Sequence, residues 1–141
     1  MLLRDILSRK GGRVSVCSPS DTLAQAVQRL VEENIGSLVV CRGKRTIGIL
    51  TERDILRRTA TSLAHFATLT VEECMTASPI TGNPDLEVTQ VMGLMTDQRI
   101  RHLPVMEGND LVGMISLGDL VKSQHDELTC ENHYLRNYLN S

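Results

Sequence analysis

Two seven-residue segments carry the residue types best suited to chemistry: Gly48-Ile49-Leu50-Thr51-Glu52-Arg53-Asp54 and Gly113-Met114-Ile115-Ser116-Leu117-Gly118-Asp119. Each reads glycine, two apolar residues, a hydroxyl residue, any two residues, then aspartate. A hydroxyl three places before a carboxylate is the pattern of a helix start, in which the hydroxyl takes free amides of the first turn and the carboxylate suits the helix dipole. The same groups suit a ligand. A hydroxyl and free amides at a helix N-terminus fit a phosphate, and a carboxylate can accept hydrogen bonds from both vicinal hydroxyls of a ribose. One hydroxyl can cap a helix and serve a ligand, so both readings stay open; the recurrence of the pattern favours the ligand. The glycine marks a place where another group approaches the backbone closely.

Other chemistry finds little support. The four cysteines, Cys17, Cys41, Cys74 and Cys130, form no CxxC pair, and none has a histidine at metal-ligand spacing, so no metal site is expected. Buried thiols are the plain reading; a Cys17–Cys41 link is the sharper one, since both fall in expected strands of one unit. GxSxG, HExxH and Walker A motifs are absent. A repeated carboxylate is a poor source of the unequal acid and base that catalysis needs, so no enzyme and no catalytic cofactor are expected. Net charge is −2, without the positive excess of a nucleic-acid or anionic-membrane binder, and one Phe, two Tyr and no Trp leave few platforms for stacking bases. No apolar run is long enough to span a bilayer, and charges interrupt MLLRDILSRK where a secretory signal would be apolar. The expected location is cytoplasmic.

The elements that position the two segments come from a repeat. Sliding the chain 65 positions against itself aligns Pro19 with Pro84, Gln25 with Gln90, Ile35 with Ile100, Leu38 with Leu103, Val40 with Val105, Gly43 with Gly108, Gly48 with Gly113 and Asp54 with Asp119, without a gap. Each copy opens with a short strand (near Val14–Cys17, and near Ile80–Thr81). A helix follows, capped by Ser20 or Asp85, with Leu23, Ala26, Val27 and Leu30 or Val88, Val91, Met92 and Met95 on one face. Two apolar runs around Arg42-Gly43-Lys44 or Gly108-Asn109-Asp110 predict a hairpin, and a second helix starts at Thr51 or Ser116. The order is β-α-β-β-α, twice. Thr70-Val71-Glu72-Glu73 predicts a short capped helix between the copies, and residues 2–9 predict one before the first. One copy of about 60 residues is marginal alone, so two copies packed through their sheets, with a groove between them, are expected.

This signature, after "IGSLVV" or "IRHLPV" in a tandem repeat, resembles the CBS domain, over roughly residues 1–124. The pattern looks most like the bacterial stand-alone pairs. The resemblance implies an α/β (α+β) fold of two βαββα repeats related by a pseudo-two-fold axis: residues 1–62 with the leading helix, 63–124 with the connecting segment, and a helical tail at 125–141. It implies a regulatory module that binds adenine nucleotides (AMP, ADP, ATP or NAD(H)) in clefts between the repeats. Thr51 and Asp54 would hold the ribose in one cleft, Ser116 and Asp119 in the other. Val14 and Ser15, or Ile80 and Thr81, would flank the adenine. Arg101 and His102, before the strand containing Pro104, would face phosphates, through a bidentate fork and an added donor. The first copy has Gly36 and Ser37 there, so the clefts are expected to be unequal. Arg53 is a further phosphate candidate; Lys10 and Arg13, around Gly11-Gly12, are weaker ones.

The resemblance also implies a homodimer and a regulated partner protein encoded elsewhere. Leu128, Leu135, Tyr138 and Leu139 in the tail share a helical face that would suit intrachain packing or the dimer contact. Two alternatives stand beside nucleotide sensing: an interaction module whose signatures only cap helices, and a thiol redox sensor using Cys17 and Cys41.

Overall fold

In the computed structural model, which describes residues 1–140, the 65-residue spacing becomes a spatial repeat. The chain runs α1 (Leu3–Lys10), β1 (Val16–Cys17), α2 (Leu23–Glu33), β2 (Ser37–Arg42), β3 (Arg45–Thr51), α3 (Glu52–Ser62), a 3-10 helix (Leu63–Thr68), α4 (Val71–Cys74), β4 (Thr76–Ala77), α5 (Val88–Gln98), β5 (His102–Glu107), β6 (Asp110–Ser116) and α6 (Leu117–Asn140). The 3-10 helix and β4 are additions to the expected order. The tail is the outer part of the single helix α6 rather than a separate element.

The repeated residues explain themselves locally. Both hairpins turn on a glycine of positive φ, Gly43 at 63° and Gly108 at 61°. Both shift register at the same place, between Val40 and Cys41 and between Val105 and Met106. Helices α2 and α5 end on left-handed residues, Asn34 and Arg99. There the amides of Ile35 and Ile100 bond back to Leu30 and Met95 at 3.1 and 3.0 Å, a Schellman-type stop that the isoleucines seal.

The helix starts correct one expectation. The N-caps are Thr22 and Glu87, not Ser20 and Asp85. Gln25 and Gln90 decide it: their side-chain oxygens accept the backbone amides of Thr22 (2.9 Å) and Glu87 (3.3 Å), as a capping box requires. Asp85 instead accepts from the Arg4 guanidinium at 3.0 Å. Val27 is half-buried beside the buried Leu23, Ala26 and Leu30.

The opening strands differ for a reason visible in one residue. In the first copy the Val39 amide donates to the Ser15 carbonyl at 3.1 Å, and β1 pairs in parallel with β2. The second copy has Pro104 in place of Val39, and proline has no amide to give. Ile80–Thr81 therefore forms no strand; only Gly82 bridges Val105, its amide bonded to the Pro104 carbonyl at 2.9 Å. The strands β1-β2-β3-β4 form one sheet and β5-β6 a separate hairpin.

Two hydrophobic cores result. One gathers Cys17, Leu23, Ala26, Leu30, Leu38, Val40 and Leu50 of the first copy around Val71 and Cys74. The other gathers Val88, Val91, Met95, Leu103, Val105, Ile115 and Leu120 of the second copy around Leu3 and Ile6. The leading helix, adjacent in sequence to the first copy, is thus built into the second, and the connecting helix α4 into the first. Backbone bonds fix both: Leu3 and Arg4 donate to Leu86 and Pro84, and Val71 and Glu72 to Asp21 and Pro19, at 2.8 to 3.0 Å. Leu3 and Ile6 are 0% and 6% exposed; burying each stabilises by about 1.5–3 kcal/mol.

The four cysteines are free. Cys17 lies opposite Val40 in the β1–β2 register, and Cys41 is the next residue, past the register shift. Burial pushes the Cys17 thiol up to about 11. A buried thiol held above its ordinary value is a poor redox centre, which weighs against the Cys17–Cys41 reading.

Candidate functional site

Each signature sits where a strand passes directly into a helix, and in each the capping geometry is formed. Thr51 Oγ1 accepts the Asp54 amide at 3.3 Å, and Ser116 Oγ accepts the Asp119 amide at 3.1 Å. In return each carboxylate accepts a backbone amide, Thr51 to Asp54 at 2.9 Å and Ser116 to Asp119 at 2.8 Å. The first helical amide goes to the other hairpin strand: Glu52 to the Gly36 carbonyl at 3.2 Å, Leu117 to that of Arg101 at 2.8 Å. The glycines admit close neighbours from the chain itself. A Cβ on Gly48 would stand 2.9 Å from the Thr76 carbonyl and 2.6 Å from Met75 Sδ, and one on Gly113 would overlap the Leu7 side chain.

Beyond this shared geometry the two carboxylates diverge. Asp54 is 7% exposed. Its Oδ2 also accepts from Thr51 Oγ1 and its Oδ1 from Thr76 Oγ1, both at 3.1 Å. Asp119 has a side chain 25% exposed and an ion pair with Lys10 Nζ at 2.6 Å on Oδ2. Its Oδ1 takes no hydrogen bond among the described residues. Burial alone would raise the Asp119 carboxyl, but the hydrogen bonds of Lys10 and Ser116 outweigh it, and the carboxyl lies below its ordinary value. Lys10 also donates to the Met114 carbonyl at 2.7 Å. Its counterpart in the first copy is Met75, which carries no charge.

One cation, Lys10, and one imidazole, His102, stand near Asp119. His102 is half-buried at the start of β5, and burial pushes its imidazole below the ordinary value against the pull of Glu52. Lys10, Asp119 and Arg101 complete its charged neighbourhood. A Cβ on Gly36 would meet His102 Nε2 and Glu52 Oε1, each at 3.1 Å. The vacancy of a glycine in the first copy is therefore what admits the histidine of the second. Arg101 is exposed and has no ion pair among the described residues.

The remaining expected residues spread over both copies. Four residues separate Lys10, bonded to Asp119, from Ser15, whose carbonyl is bonded to β2, so Val14 lies on the path from the second signature to the first copy. The Ser15 hydroxyl is engaged by Glu33 at 2.5 Å. Likewise Ile80 and Thr81 lie between Thr76, bonded to Asp54, and Gly82, bonded to β5. Arg53 is exposed on the first turn of α3, and Pro104 is buried in β5. Glu52 and Thr76 were not anticipated, and Lys10 matters more than its sequence context suggested. Its signal was the broken Lys10–Met75 correspondence in the 65-residue register. A hollow of about 410 Å³ lined by Cys130, Glu131, Tyr134 and Leu135 lies along the outer part of α6, away from both signatures. Among the described residues no His, Cys, Asp and Glu cluster could hold a metal ion, and no helix is long and apolar enough to cross a membrane.

Comparison with known proteins gives a consistent picture. The family model described as "CBS domain" matches residues 3–60 and 71–126. The CBS domain-containing protein YhcV of Bacillus subtilis is 34% identical over 112 residues, covering 79% of this chain and 79% of its own length. The crystal structure of the CBS-domain containing protein ATU1752 from Agrobacterium tumefaciens superposes with a TM-score of 0.86 at 34% identity, covering 88% of this chain and 99% of that one. A more distant structure, the CBS domain pair of protein MJ0100, was solved in complex with 5-methylthioadenosine and S-adenosyl-L-methionine; it is 26% identical with a TM-score of 0.77, covering 90% of this chain and 98% of that one.

Proposed function

This chain belongs to the CBS-domain family, and from that premise we propose that it is a regulatory module whose second signature, around Asp119, binds the ribose of an adenine nucleotide. One observation carries the reading: at a helix start, beside His102, Asp119 keeps a carboxylate oxygen that takes no hydrogen bond among the described residues. Ser116 and Asp119 hold the sugar, Arg101 and His102 take the phosphates, and Val14 and Ser15 border the base. The MJ0100 complex supports an adenosine ligand for the fold. For the first signature the geometry favours a structural role. Asp54 has both oxygens engaged within the chain, so Thr51 and Asp54 serve as a helix cap braced by Thr76, and Arg53, Ile80 and Thr81 border a weaker cleft or none.

The reading includes no catalysis and no catalytic cofactor, and it includes assembly as a homodimer. Val121, Leu128 and Leu135 recur every seven residues on α6 and are all exposed, a spacing that suits helix pairing. A regulated partner protein reads the occupied state. The test is a thermal-shift screen over AMP, ADP, ATP, NAD, NADH and S-adenosylmethionine, since a ligand of the native state raises Tm. The expected result is stabilisation by at least one phosphorylated ligand, lost in Asp119→Ala and kept in Asp54→Ala. No shift with any of them at millimolar concentration overturns the reading; light scattering tests the dimer.

A further inference from the structure

We propose that Lys10 is a displaceable internal cation that makes the Asp119 cleft select phosphorylated over unphosphorylated adenosine compounds. The proposal rests on the nucleotide reading above and adds the residue that sets its specificity.

The ammonium of Lys10 bonds Asp119 Oδ2 at 2.6 Å and the Met114 carbonyl at 2.7 Å, so it stands against the carboxylate proposed for the ribose. Both side chains are partly exposed, Lys10 at 35% and Asp119 at 25%, and the pair can open without unfolding the core. Lys10 ends α1, and Gly11 (φ 89°) and Gly12 follow it, so the chain beyond the cation has little side-chain packing to hold it. His102 stands beside the pair, and the charges of Lys10, Asp119, Arg101 and Glu52 all act on its imidazole.

A neutral nucleoside that takes Asp119 through its hydroxyls must weaken the Lys10 bond and offers nothing in return. The ammonium loses a charge-assisted bond at a partly buried position, which opposes binding. A nucleotide supplies a replacement, because its phosphate can take Lys10 together with Arg101 while the ribose takes the carboxylate. The ion pair thus acts as an internal competitor that only an anionic ligand compensates. A cationic ligand such as S-adenosylmethionine meets the opposite balance. The first copy has no such device, since Met75 stands in the place of Lys10 and a neutral hydroxyl, Thr76, holds Asp54.

Isothermal titration of the full chain with AMP and with adenosine tests this, using wild type, Lys10→Met and, as a second variant of different bulk and polarity, Lys10→Gln. Thermal melts confirm folding. Wild type is expected to prefer AMP over adenosine by at least about tenfold, the worth of one charge-assisted bond. Both variants are expected to lose AMP affinity by about tenfold while adenosine affinity stays or rises, so that the preference collapses. An unchanged AMP-to-adenosine ratio in the variants overturns the role of Lys10 and leaves the nucleotide reading standing. Equal loss of both ligands overturns it too, because Lys10 would then only support the fold of the cleft. If wild type binds no phosphorylated adenosine at all, the nucleotide reading falls and this inference with it.

Discussion

Asp54 and Asp119 occupy the same place in the 65-residue repeat and head equivalent helices, yet one is closed and the other is held open by a removable partner. At Asp54 neutral hydroxyls from Thr51 and Thr76 fill the carboxylate, and only 7% of the residue remains accessible. At Asp119 the occupant is a flexible ammonium, and one oxygen is left over. The comparison teaches that a repeated motif fixes the backbone of a site but not its vacancy. Vacancy is decided by what the end of the swapped helix brings: thioether and hydroxyl in Met75-Thr76, ammonium in Lys10.

The sharpest way to break the comparison is to remove each carboxylate. Asp54→Ala is expected to cost about 2 kcal/mol in urea denaturation, since it removes a buried carboxylate that accepts from the Thr51 and Thr76 hydroxyls and the Thr51 amide, and to leave nucleotide affinity within about twofold. Asp119→Ala is expected to cost about 1 kcal/mol, because its ion pair is half-exposed, and to abolish the ligand-induced rise in Tm. Equal stability losses would mean that the two sites are alike. Next come the glycines. Gly48→Ala pushes a methyl against the Thr76 carbonyl, which is backbone, and is expected to cost about 2 kcal/mol. Gly113→Ala meets only the Leu7 side chain, which can turn away, and is expected to cost under about 1 kcal/mol.

Smaller effects follow from pH. The Asp119 carboxyl lies below its ordinary value, so its contribution is complete above about pH 4 and is lost as pH falls through the lowered value. Acid titration of stability should show a drop of about 0.5–1 kcal/mol in wild type that is missing in Lys10→Met. Burial lowers the His102 imidazole below its ordinary value, so its contribution to stability is present above about pH 6.5 and declines as pH falls toward the lowered value. Tm measured between pH 7.5 and about 5.5 should fall slightly in wild type and less in His102→Gln; an equal fall would place the titration elsewhere.

Much of this was legible beforehand because it is local. Turn glycines, the isoleucines after α2 and α5, and the Thr70–Glu73 box all act within a few residues. The strand at Ile80–Thr81 was misread because its partner, Pro104, lies 24 residues away and withholds an amide that Val39 supplies. Ser20 and Asp85 looked like caps because short polar residues after proline usually are; Gln25 and Gln90 moved the starts by two residues. The partners of Asp54 and Asp119 were not legible. Thr76 and Lys10 lie 22 and 109 positions from them, and nothing in a short amphipathic helix states which core will take its apolar face.

The exchanged helices also set an order of events during synthesis. The first copy has all its core partners once Cys74 has left the ribosome. Helix α1 leaves before the first copy, but its seat is made of residues between Pro84 and Leu120. Leu3 and Ile6 therefore travel unburied until the second copy has been made. The docking of α1 also delivers Lys10 to Asp119, so the second cleft acquires its occupant only after Leu120 has been made.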